Sequence, residues 1–327
     1  MERISRASIG VNTILASLLA ALALAGCGGG SDGGGAAQSA ATQSAASAGG
    51  PADAATQDPG APQATGNTAT DGFNWFNYRR AQVGIRTLAR DARADTAAQG
   101  HSNYQKIHNI ITHEQTRDTA GFTGVDVGAR LAAAGYQFGR FYAYGEVISS
   151  TSDPSGFNAA EDLIAAIYHR FVIFDPIFRQ IGVGAATVSG GPTYFTTNFV
   201  TEQLDGGLGA GKVVVYPFAG QQRVARNFFS DNEVPDPFPG RNEVGYPISV
   251  HADITSSIEV GSFTVRPRGG NPLAVRLLTR AGDAQTPQSA AAIIPLDALA
   301  TSTTYDVQFS GAVDGTPVSH SWSFTTQ

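Results

Sequence analysis

The chain is expected to form an α+β unit followed by an all-β sandwich, and three features of the sequence carry that expectation. Apolar residues at helical three-and-four spacing alternate with short β-branched runs between residues 71 and 204. From residue 213 to the end only short strand-like runs occur, punctuated by Gly, Pro and Asn. The glycine-rich stretch Asp205-Gly-Gly-Leu-Gly-Ala-Gly211 separates the two. Of the 327 residues, 42% are hydrophobic and 15% charged, which excludes a wholly disordered chain. The formal charge is -6; Glu2, Arg3 and Arg6 give the first 26 residues +1, so the remainder carries -7. Nucleic acid is therefore not expected as a partner. One cysteine, Cys27, excludes an intrachain disulfide and a cysteine-rich zinc site.

Residues 1–26 have the order of an export signal: Arg3 and Arg6, then Ile9, Val11, Ile14, Leu15, Leu18, Leu19, Leu22 and Leu24, then small residues. Leu24-Ala-Gly-Cys27 resembles the bacterial lipobox, in which the signal is cut before the cysteine and that cysteine is acylated. Two acyl chains on Cys27 would anchor stably, at ~0.8 kcal/mol per buried CH₂. The resemblance implies an exported, membrane-anchored lipoprotein. Gly28 after the cysteine implies the outer membrane of a Gram-negative bacterium, facing either periplasm or surface. Residues 27–70 then form the lipidated cysteine and a linker. From 28 to 70 there is no aromatic residue and no Ile, Leu or Val, so burial has nothing to offset ordering entropy. As a coil this stretch would span roughly 35 Å.

The elements follow in order. Asp71 is placed to cap a helix carrying Phe73, Phe76, Asn77, Arg80 and Val83, ended by Gly84. A second helix runs from about Asp91 to His108, with Ala94, Ala97, Ala98, His101, Tyr104 and Gln105 on one face. The third covers Asp126 to Ala134 and stops at Gly135. Tyr136 to Ser149 is aromatic-rich and extended. The fourth starts with Asn158 as cap and Glu161 three residues on, buries Ala160, Leu163, Ile164, Ile167, Tyr168 and Phe171, and closes at Pro176. Ile181–Val188 and Thr193–Val200 form a hairpin turned at Gly190-Gly191. Beyond the joint, strands are expected at 213–216, 246–250, 258–265, 291–294, 304–309 and 320–326.

Within the first unit, Asn77-Tyr-Arg-Arg, Gly84-Ile-Arg-Thr-Leu88, Ala98-Gln-Gly-His101-Ser102, Ile111-Thr-His113, Gly145-Glu146, Tyr168-His-Arg170, Asp175-Pro176 and Ile181-Gly-Val-Gly184 occur in that order. Together they resemble a bacterial CAP domain (the SCP, antigen-5, PR-1 superfamily) over about residues 73–200. The resemblance implies a CAP-type α-β-α sandwich with a central antiparallel sheet over 71–204. It also implies a cavity holding His113, Glu146 and His169. Two departures stand out: Val147 where the family usually has asparagine, and Ile167-Tyr168 where it often has tryptophan. The second cavity glutamate has no sure match; Glu161 and Asp162 are nearest, both where a first helical turn favours carboxylates. The all-β unit, residues 213–327, ends on Thr304–Gly311 and Trp322–Thr326, which resemble the last hairpin of bacterial Ig-like surface domains.

Neutral imidazoles of His113 and His169 suit Zn²⁺ or another divalent metal. A carboxylate beside a histidine also suits general acid–base chemistry. No nucleophile motif accompanies them, and His113-Glu114-Gln115-Thr116 lacks the second histidine of a zinc-protease helix. His101 is expected to pack beneath the sheet, with His108 and Glu114 exposed; His251 and His320 are expected at the surface or satisfied in the core. Phe138, Phe141, Tyr142 and Tyr144 would line an apolar groove or pack as ordinary core. Two function classes follow. The favoured one is a cell-envelope binding module for a lipid, an envelope fragment or a protein partner. The alternative is a metal-dependent hydrolase or protease using the cavity residues.

Overall fold

The computed structural model describes residues 3–12 and 60–327. Cys27 and most of the linker lie outside the described residues. Five helices are present among those described: α1 (Thr68–Gln82), α2 (Ala92–His108), α3 (Val127–Ala133), α4 (Gly156–Ala165) and α5 (Ile167–Ile173). The first sheet runs β1 (Arg3–Asn12), β3 (Tyr142–Thr151), β5 (Thr193–Thr201), β4 (Gln180–Thr187), β2 (Ala89–Arg90). All its neighbours are antiparallel except β2 and β4. Residues 3–12 of the expected signal form the outermost strand, with Ser8 opposite Glu146.

Helices cover both faces. Against one lies α2, whose Ser102 and Gln105 bond Thr196 Oγ1 of β5. The backbone of α2 comes so close to Gly182 and Gly184 that a Cβ at either position would collide with it. On the other face Phe76 of α1 packs on Phe195 and Phe199. This is the expected α-β-α sandwich. The expected hairpin is β4–β5, with Gly190 at φ 69° in its turn.

Two caps differ from expectation. Asn67, not Asp71, caps α1, by accepting from Thr70 N. Asp71 instead folds back onto Thr65 and Gly66. Ser155, not Asn158, caps α4, and Asn158 donates to Asp153. The single fourth helix is also two helices, because Ala166 is extended at φ -69°, ψ 115°. The carbonyls near the break are met by the Arg170 guanidinium, Nε to Ile164 O at 2.6 Å and Nη2 to Ala165 O at 3.4 Å. A side-chain donor reached from the following helix therefore replaces bonds the ladder loses, which periodicity alone does not reveal.

The second unit is all-β. One sheet runs β11 (Val275–Leu278), β12 (Ala290–Pro295), β9 (Ile248–His251), β6 (Val214–Tyr216); the other runs β10 (Ile258–Pro267), β13 (Thr304–Val313), β14 (Thr316–Thr325). A short hairpin, β7 (Asn227–Phe229) with β8 (Glu243–Gly245), completes it. Its core is continuous with that of the first unit. Three consecutive residues of α5 make much of the seam. His169 meets Glu233, Arg170 donates to Pro247 O between the rings of Tyr216 and Tyr246, and Phe171 meets the His251 ring.

Candidate functional site

Glu146 sits at the centre of the site. Its place on β3 turns it toward the α2 and α3 side, where Arg130 of α3 holds both carboxylate oxygens at 2.7 Å. His113, in the loop after α2, places Nδ1 2.8 Å from Glu146 Oε1, and Arg130 Nη1 donates to His113 O at 2.8 Å. Burial would raise the Glu146 pKa, but Arg130, His101 and His113 together pull it down to about 2. The carboxylate is thus a fixed negative charge that holds the His113 ring. His113 is the contact with solvent, its side chain 12% exposed, while Glu146 is fully buried. Asn198 on β5 stands directly across from Glu146. Both its amide atoms, Arg130 Nε and His113 Nε2 are buried without a hydrogen-bond partner among the described residues.

His169 is built in the same way from other elements. Its Nδ1 lies 2.8 Å from Glu233 Oε1. That oxygen also accepts from Tyr168 N at 2.7 Å and His169 N at 3.2 Å. Nε2 of His169 is buried and unpartnered, as is Glu233 Oε2. Burial lowers the His169 pKa, against a raising effect of Glu233, and the charge of His113 lowers it further. Each of the two histidines binds its own carboxylate. His113 and Glu146 meet in one cluster; His169 does not bond Glu146.

Neither Arg130 nor Glu233 was singled out from the sequence. Arg130 had a readable signal, since it falls in the stripe of Val127 and Leu131 that α3 buries. Glu233 had none, standing in the turn Ser230-Asp-Asn-Glu-Val-Pro235 of the other unit, 64 residues from its partner. Glu161 belongs elsewhere: it accepts from Trp75 Nε1 at 2.6 Å and from Arg79 Nε and Nη2 at 2.9 Å each. His101 is buried as expected, between Thr112 O and the Gln115 amide, and 3.9 Å from Glu146; burial pushes its pKa down to about 4. His108 is partly covered and bonds Ala120 O, and Glu114 is exposed. His251 is buried and bonds Ser249 Oγ. Phe138, Tyr142 and Tyr144 pack ring against ring, whereas Phe141 stands apart at 43% exposure. Phe141 lines a surface hollow of about 610 Å³ with Arg140 and Leu204.

No group of three or more His, Cys, Asp or Glu suited to a metal is found among the described residues. Unpartnered buried atoms able to ligate a cation include Asn198 Oδ1, Glu233 Oε2 and the two Nε2 atoms, each of the latter on a ring whose other nitrogen binds a carboxylate. That is the outer-shell arrangement that orients metal-binding histidines. Donors of this chemistry suit a cation whose other positions fall to solvent or ligand, and not a closed structural zinc site.

The model of the CAP family, described as the cysteine-rich secretory protein family, matches residues 73–199. Among solved structures the chain is similar to an extracellular protein containing a SCP domain from Bacillus anthracis str. Ames, with 25% identity and TM-score 0.34. That match covers 41% of this chain and 40% of the other, so the chain spans well under half of that protein. An outer surface protein from Borrelia burgdorferi matches with 13% identity and TM-score 0.34, over 40% of this chain and 90% of that one. No curated protein matches the chain. With the layered sheet and the ordered motifs, the family match identifies residues 73–199 as a CAP domain.

Proposed function

We propose that this chain is an exported, lipid-anchored binding protein of the cell envelope. In this reading its paired histidines hold a divalent cation or the polar group of an envelope ligand. One observation carries it: His113 and His169 each commit Nδ1 to a buried carboxylate and leave a buried Nε2 unpartnered. Buried polar atoms are seldom left unmatched, so unpartnered ring nitrogens of this kind suit a ligand. The unpartnered amide of Asn198 and Nε of Arg130 add donors and an acceptor beside Glu146. Binding fits better than hydrolysis, since the carboxylates are bonded to histidines and Arg130 and only His113 reaches solvent. Anchoring rests on Leu24-Ala-Gly-Cys27, and cleavage there would remove β1 and leave β3 as the outer strand. The all-β unit, with its Ig-like ending, suits positioning at the envelope.

Zn²⁺, if bound, would be held by His113 Nε2 and His169 Nε2 and would act as a Lewis acid toward a ligand oxygen. Only neutral imidazoles bind it, so affinity rises with pH. Calorimetric titration of Zn²⁺ at pH 7.5 is expected to give binding heat that His113→Ala and His169→Ala each abolish. Heat no greater than dilution, or equal heat from the double variant, overturns the cation reading. Mass spectrometry of lipids and envelope fragments retained by the purified protein then tests the ligand itself.

A further inference from the structure

We propose that Glu233 of the all-β unit is a positioning residue for His169, so that the all-β unit is a working part of the histidine site. The inference rests on the paired-histidine reading above, and asks what sets the state of one of its rings. Glu233 Oε1 takes three hydrogens, two from the backbone at Tyr168 and His169 and one from the His169 ring. An oxygen already accepting from two N–H groups receives the third bond as an acceptor as well. Nδ1 of His169 must then carry the hydrogen, and in the neutral ring Nε2 is left with its lone pair free. The His169 proton is thus assigned by a residue from outside the CAP segment, which ends at 199.

The same contact fixes where the ring sits. Ala166 breaks the helix, and the N-terminus of α5 has no side-chain cap from its own N-cap residue. Glu233 supplies the missing acceptor from 65 residues away, meeting the first-turn N–H groups of Tyr168 and His169. Arg170 and Phe171, the next two residues, are gripped by Pro247, Tyr216, Tyr246 and His251. The short helix bearing His169 is therefore held on successive residues by the second unit. A CAP segment without that unit would keep His113 and Glu146 but lose the partner of His169.

The test uses the full chain with ¹⁵N-labelled histidine. In the wild type, nitrogen NMR is expected to show His169 protonated on Nδ1 and bare on Nε2, assigned by its loss in His169→Gln. Glu233→Ala should shift the ring toward the Nε2–H form, whereas Glu233→Gln, whose amide oxygen still accepts, should keep the Nδ1–H form. With Zn²⁺ as probe, Glu233→Gln should bind about 10–100-fold more weakly, as loss of an outer-shell carboxylate does. A wild type bearing hydrogen on Nε2, or an unchanged Nδ1–H form in Glu233→Ala, overturns the proposal. If Glu233→Ala does not fold, the wild-type tautomer and Glu233→Gln decide it: loss of the Nδ1–H form in that variant also overturns it. Wild-type protein that shows the Nδ1–H form but gives no Zn²⁺ heat refutes the cation reading and leaves the positioning role standing.

Discussion

Replacing Glu161 by alanine separates a structural glutamate from a site glutamate. Its carboxylate accepts from Trp75, twice from Arg79, and at 3.4 Å from the Tyr216 hydroxyl. The Arg79 and Glu161 side chains are 3% and 6% exposed, and the guanidinium lies 5.0 Å from the Trp75 ring centroid. Removing the carboxylate strands a charged guanidinium and an indole N–H in the core. Breaking a buried pair by deleting one partner costs about 3–5 kcal/mol. For a domain of this size each kcal/mol lowers Tm by about 2–4 °C, so a fall of about 10 °C is expected in a calorimetric scan. The double variant Arg79→Met/Glu161→Leu should recover most of that loss, because no unpaired charge then remains. Zn²⁺ titration of Glu161→Ala at a temperature where it is folded should match the wild type. A Tm fall under about 3 °C, or strictly additive losses in the double variant, would refute the ion-pair reasoning. Loss of Zn²⁺ heat with an intact fold would return Glu161 to the site.

Three further outcomes are expected. Burial lowers the His251 pKa to about 3, so its contribution is full above about 6.5 and is lost as pH falls below that. At ~1.4 kcal/mol per pH unit, His251→Leu should remove about 2 kcal/mol of the stability lost between pH 7 and pH 5, read by urea unfolding at both; an unchanged loss refutes this. Burial raises the Asp175 pKa to about 7, which makes the folded state the tighter proton binder and lowers stability as pH climbs from about 4 to 7. Asp175→Asn can still accept from Ile177 N, and should gain on the wild type across that window; equal slopes would show an ionised carboxylate. Cys27→Ala should abolish acylation and membrane retention without changing the Tm of the folded part, and a wild type found unacylated by mass spectrometry ends the anchor hypothesis.

The local elements were largely legible because their causes are local. Asp91 accepts from Arg93 N and Ala94 N at the head of α2, as its place before that helix predicts. Asp126 likewise caps α3, and Gly190 turns the β4–β5 hairpin. The misplaced boundaries have local rivals as their cause. Asp71 had donors at Thr65 and Gly66, and Asn158 had an acceptor in Asp153, so Asn67 and Ser155 took the caps. The break at Ala166 was not legible, since both halves share one apolar face and the compensating donor is Arg170.

By itself the sequence determined the α+β character of the first unit, the all-β character of the second, and the identity of His113, Glu146 and His169 as candidates. Periodicity, capping and ordered motifs act over a few residues, and these can be read in one dimension. Only the tertiary structure decided which charges meet. Arg130 reaches Glu146 across 16 residues, Arg79 reaches Glu161 across 82, and Glu233 reaches His169 across 64. A buried charge must find a partner wherever the packed chain brings one, because an unpaired charge in a low-dielectric core is too costly to keep. Glu161, the sequence's nearest candidate for a second cavity glutamate, was claimed by Arg79 and Trp75, and the carboxylate facing His169 came from the other unit.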